Sequence, residues 1–128
     1  MSEQIGQVDN ESQRRYEQHR KLAKNAVVDE IRVAHAQDAI IGGKLSRITG
    51  KDPSGSQPYS MEQADSMVSR GVEQKEAAQA DLELSNQTLE AHEKQSAEWR
   101  DKNLDKLIES AKAEDNTRDS EANNTRAA

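Results

Sequence analysis

The stretch GGKLSRITGKDPSGSQPYS, Gly42 to Ser60, holds four of the chain's six glycines and both of its prolines. Periodic sequence lies on either side of it, so its reading settles the architecture. A Gly-Lys pair inside it raises the question of nucleotide binding. A phosphate loop needs Gly, four residues, then Gly-Lys-Ser/Thr, so that backbone amides wrap the phosphates and a hydroxyl meets the magnesium. Here Gly43 precedes Gly50 by seven positions, Asp52 stands where the hydroxyl belongs, and no apolar strand leads in. The stretch reads instead as a chain reversal. Gly42-Gly43 offers a helix C-cap, where left-handed backbone costs glycine nothing. Pro53 and Pro58 hold a turn, and Ser60 with Gln63 forms a capping box that starts a new helix. Leu45 and Ile48 continue the apolar pattern, so the first helix ends either at Gly42 or at about Ile48.

Upstream, Tyr16, Ala23, Val27, Ile31, Ala34, Ile41 and Leu45 recur at helical intervals, with Leu22, Ala26, Val33 and Ile40 widening the stripe. This predicts a helix over residues 12–41. Downstream, Met61, Ala64, Val68, Ala78, Leu82, Leu89, Trp99, Leu104, Leu107, Ile108 and Ala111 trace a second stripe, predicting one helix from 60 to about 112. Gly71 is its expected weak point. Lys75, Ser85, His92, Ser96 and Asn103 interrupt the heptad pattern, which argues against a self-sufficient two-stranded coiled coil. Residues 1–11 read as a polar arm and 114–128 as a disordered tail. The expected fold is all-α: an elongated antiparallel helical hairpin over 12–113 with its loop at 42–60.

Charge agrees with a hairpin. Residues 14–24 carry five Lys or Arg against one Glu, while residues 59–98 carry nine acids against Arg70, Lys75 and Lys94. Folding at the loop brings residues near Arg20 beside those near Leu89. The rest of the second helix, from about 94, is expected to overhang the hairpin with the chain's only Trp.

Composition narrows the function. Hydrophobic residues make up 32% and charged residues 33%, with no Phe and no Cys. A globular domain is nearer ~45–50% apolar, so the chain can scarcely build the desolvated pocket that separates catalytic pKa values. His19, His35 and His92 lack metal-ligand spacing on one face. No enzyme activity, cofactor or metal is expected. No apolar run approaches the ~18–20 residues of a membrane span, and no leader precedes the first polar residues, so a signal peptide is not expected. The net charge of −6 disfavours a general nucleic-acid binder.

Protein contacts remain. The expected interface residues are Trp99, Leu104, Leu107 and Ile108 on the overhang, with Tyr16, Val27, Ile31, Val68, Leu82 and Leu89 in the hairpin seam. Trp99 either meets another chain or packs on Ile5 and Val8. Lys44, Arg47 and Lys51 make a basic loop tip.

Two segments, SQRRYEQHRKLAKNAVVDEIRVAHAQ and GVEQKEAAQADLELSNQTLEAHEKQ, resemble the Gln-, Ala- and Asn-rich helices of short-tailed phage internal virion proteins, the smaller proteins of the DNA-ejection apparatus. The resemblance implies a non-enzymatic structural protein that is present in multiple copies in a virion, or in the host cytoplasm before assembly. The chain is short and lacks the apolar, glycine-rich segment of a membrane-entering member, which leaves a head, connector or tail accessory role. Two other readings stand beside it: a small adaptor or chaperone-like regulator that binds one partner helix, and a nucleic-acid-contacting protein that orders on binding through residues 14–24.

Overall fold

A computed structural model of the chain describes the backbone from residue 2 to residue 127 and the side chains from residue 6 to residue 115. It contains three helices: α1 (Ser2–Thr49), α2 (Met61–Lys102) and α3 (Leu104–Ala127). Among the described residues there is no strand, only an isolated antiparallel bridge between Lys51 and Pro58. The fold is all-α, with α1 and α2 paired as an antiparallel hairpin. Two compact units divide it: residues 22–89, and residues 1–21 together with 90–128.

In the unit of residues 22–89, the covered positions follow a seven-residue repeat. On α1 they are Leu22, Ala26, Asp29, Val33, Ala36, Ile40 and Gly43, and on α2 they are Ala64, Val68, Gly71, Lys75, Ala78, Leu82, Ser85 and Leu89. Spacings alternate between three and four, the a/d pattern of two-stranded helix packing. Facing pairs descend along α2 as α1 ascends: Asp29 meets Ser85, Arg32 meets Asp81, Gln37 meets Lys75, and Arg47 meets Asp65. Val68, Leu82 and Leu89 lie in the seam. Val27 and Ile31 do not: they are 53% and 49% exposed, on the outer side of α1.

The glycines explain how the helices fit. A Cβ on Gly43 would stand 2.7 Å from Val68 Cγ2 and 3.1 Å from the Ala64 carbonyl oxygen. One on Gly71 would stand 2.8 Å from Ile40 Cγ1 and 3.3 Å from the Ala36 carbonyl oxygen. The glycines therefore admit the opposing backbone, and Gly71 is a packing position rather than a weak point. Gly42-Gly43 does not end α1. The helix runs to Thr49, and Gly50, at φ 70°, closes it by donating its N–H to the Ser46 carbonyl.

The loop is short and internally bonded. The Asp52 N–H donates to the Gln57 carbonyl at 2.7 Å and the Tyr59 N–H to the Gly50 carbonyl at 2.9 Å. The capping box forms as read: the Gln63 N–H donates to Ser60 Oγ at 3.0 Å, and the Ser60 N–H donates to Gln63 Oε1 at 2.9 Å.

In the other unit, Val8, Ser12, Arg15 and His19 of α1 continue the same spacing, and His92, Ser96, Trp99 and Asn103 do so on the other side. Residues 2–11, expected as an arm, are helical, with Val8 buried in the unit's core. The side chain of Ile5 lies outside the described residues. α1 therefore covers the segment expected to overhang, and the buried Ser110 hydroxyl donates to Asp9. The single second helix is interrupted at Asn103. Its side-chain amide donates to the Trp99 carbonyl, and its own carbonyl accepts from the Leu107 N–H, as an N-cap residue's does. Residues 114–127, expected as a disordered tail, belong to α3.

Candidate functional site

The unit that joins the two chain ends holds a polar cluster. Arg15 projects from α1 with its guanidinium carbon 5.1 Å from the centre of the Trp99 ring, within reach of a cation–π attraction. Its Nη1 donates to Ser96 Oγ at 3.2 Å. Its Nε lies 2.8 Å from Glu11 Oε1, an ion-pair distance at which the N–H points away from a proper hydrogen bond. Arg14 donates to the same Glu11 oxygen, and this bond above all holds the Glu11 carboxyl below its ordinary value.

His92 Nε2 lies 3.2 Å from the Arg15 carbonyl oxygen, and His19 Nε2 lies 3.1 Å from Glu93 Oε1. The Arg15 carbonyl can only accept, so His92 Nε2 is the donor to it. The rings are 6.3 Å apart at 34°. These residues line an open groove of about 570 Å³. Ser96 Oγ stands 3.4 Å from His92 Nε2, but a nitrogen that donates to a carbonyl is not placed to take the serine's proton. Ser96 is largely buried at the groove wall. The pair is a structural hydrogen bond and not an activated nucleophile. Among the described residues no three His, Cys, Asp or Glu side chains gather as a metal site.

In the unit of residues 22–89, the polar groups that interrupt the apolar pattern are held inside the seam. Buried Asp29 accepts from Ser85 Oγ at 2.6 Å and from Arg32 Nη1 at 3.0 Å. Arg32 also donates to Asp81 at 2.8 Å, and Asp81 first, then Asp29, raises the guanidinium's pKa above its usual value. Lys75 Nζ donates to Gln37 Oε1 at 2.6 Å.

On α1 the same unit exposes a line of apolar side chains, with Val28, 47% exposed, lying off it. Val27, Ile31, Ala34, Ile41, Leu45 and Ile48 recur at spacings of three, four or seven, interrupted by Asp38. They lie roughly 140° around α1 from the seam at 3.6 residues per turn. Ile41, Leu45 and Ile48 are 47%, 56% and 82% exposed. The outer face of α2 carries no such line, only the separate Met61, Val72 and Leu84.

The expected interface residues therefore scatter. Val27 and Ile31 join the outward stripe, while Val68, Leu82 and Leu89 are committed to the seam. Trp99 is half-buried beneath Arg15, Leu107 is half-buried, and Tyr16, Leu104 and Ile108 are exposed. At the loop end, Lys44 and Lys51 are exposed, and Arg47 lies 3.5 Å from Asp65. Arg15, His92 and Ser96 on one hand, and Ile41, Leu45 and Ile48 on the other, went unassigned as site residues. The seven-residue series Leu22, Asp29, Ala36, Gly43 and Ala64, Gly71, Ala78, Ser85 would have revealed both faces, had polar residues been admitted to the seam.

No family model, curated protein or solved structure matches the chain. Among the described residues, no helix is long and apolar enough to cross a membrane.

Proposed function

We propose that the chain is a non-enzymatic structural component that builds an assembly through helix–helix contacts, with the outward stripe of α1 as its docking face. The observation that carries this is the stripe itself. Five branched aliphatic side chains, Val27, Ile31, Ile41, Leu45 and Ile48, stay about half exposed or more on a helix whose other face already has a partner. Fully burying one such side chain is worth about 1.5–3 kcal/mol, and an amphipathic helix keeps a second apolar line out of water by packing it on another helix. The particular assembly we favour is a phage virion, as an internal, connector or tail accessory protein aiding assembly or genome ejection. The support for that is the sequence resemblance alone.

The test is the native mass of the protein purified from its source, with Ile41→Glu/Leu45→Glu as the variant. The wild-type chain is expected in a complex and the variant outside it, with helicity unchanged. A variant that enters the same complex refutes the reading.

A further inference from the structure

We propose that the occupant of the outward stripe is the same stripe on a second copy of this chain, packed antiparallel about a two-fold axis near Gln37. This rests on the docking role given to the stripe above and adds the partner's identity and direction.

The argument is the symmetry of the stripe about its middle. Asp38, the one polar residue in the line, sits between an N-terminal apolar pair, Val27 and Ile31, and a C-terminal pair, Ile41 and Leu45. Turning a second copy end for end sets Val27 against Leu45 and Ile31 against Ile41, large on large, with Ala34 opposite Asp38 near the axis. A polar residue at one core position is a familiar way of fixing register.

The flank carries the charge that selects direction. Glu30, Gln37 and Lys44 follow one edge of the stripe at seven-residue intervals. Among the described residues, neither Glu30 nor Lys44 makes an ion pair within the chain. A reversed copy places Glu30 beside Lys44 twice and Gln37 beside its own equivalent. A parallel copy in register sets this edge against the partner's other edge, Val28, His35, Gly42 and Thr49, which offers no Lys, Arg, Asp or Glu to either residue. The complementarity therefore favours the reversed copy, and an isologous patch of this kind closes as a dimer.

The chain has no cysteine, so single cysteines report neighbours without background. The full-length protein is expected to sediment as a dimer at tens of micromolar, and Ile31→Glu/Ile41→Glu as a monomer of unchanged helicity. Mixed Val27→Cys and Leu45→Cys chains are expected to cross-link to each other under mild oxidation, with little cross-linking of either variant alone. Glu30→Lys should weaken the dimer about fivefold, given that exposed pairs are each worth a few tenths of a kcal/mol to about 1 kcal/mol. Glu30→Lys/Lys44→Glu should restore it. Self-linking of Val27→Cys as fast as the mixture overturns the antiparallel arrangement. A wild-type monomer at these concentrations overturns self-docking, and it leaves the docking role intact if the native complex still excludes Ile41→Glu/Leu45→Glu.

Discussion

Ile40 of α1 occupies the notch left by the missing side chain of Gly71 on α2, where an added Cβ would come within 2.8 Å of its Cγ1 and 3.2 Å of its backbone nitrogen. Alanine is the better helix former by about 1 kcal/mol, yet the side chain would have to displace backbone. Overpacking of this kind costs roughly 1–3 kcal/mol. Gly71→Ala is expected to destabilise by up to about 2 kcal/mol on those figures, measured by urea denaturation. Gly6→Ala is the control: nothing lies within 4 Å of that Cβ, so the helix preference should prevail and stability should rise.

Ser46 is 1% exposed, and its hydroxyl has no hydrogen-bond partner. An unpaired buried polar group costs about 1–3 kcal/mol. Ser46→Ala removes the hydroxyl and adds helix preference, and is expected to stabilise by about 1 kcal/mol. A melting temperature below wild type would contradict the burial of an idle hydroxyl.

Asp29 and Ser85 are expected to be coupled. Removing the Ser85 hydroxyl deprives a buried carboxylate of its 2.6 Å donor, and hydrogen bonds to charged groups are worth about 1.5–3 kcal/mol. In a double-mutant cycle of Asp29→Ala with Ser85→Ala, the coupling energy should exceed ~0.5 kcal/mol, the level at which residues in contact depart from additivity. Additive losses would show that the bond does not hold the pair together.

The Asp52 carboxylate accepts from Ser54 Oγ and from the N–H groups of Ser56 and Gln57. The Ser54 bond leads the causes that lower its pKa below 3.8. A carboxyl whose folded pKa is depressed contributes order above its ordinary value and loses it as pH falls through the lowered one. The carboxyl signal in NMR should titrate below 3.8, and Ser54→Ala should move the midpoint up. The protection of the Ser56 and Gln57 amides, taken against the intrinsic exchange rate at each pH, should fall in the same acid window.

Local chemistry was legible where neighbours in sequence suffice to decide it. The capping box at Ser60 and Gln63, the reversal after Gly50 and the helical period of both long segments each depend on a few adjacent residues, and each is present in the fold. The face of α1 that meets α2 was not legible. The apolar period belongs to two lines, and the bulkier one, Val27 to Ile48, points outward. The seam mixes larger residues, Leu22, Val33, Ile40, Val68, Leu82 and Leu89, with small ones, Ala26, Ala36, Gly43, Ala64, Gly71 and Ala78, and with polar groups such as Asp29 and Lys75. Close backbone approach rewards absence of side chain, which hydropathy does not score. A buried carboxylate is acceptable only because Ser85 and Arg32 stand opposite and beside it. Those partners become neighbours only once the register of the hairpin is set, so the face that is buried and the face left to a partner follow from the packing of the two helices.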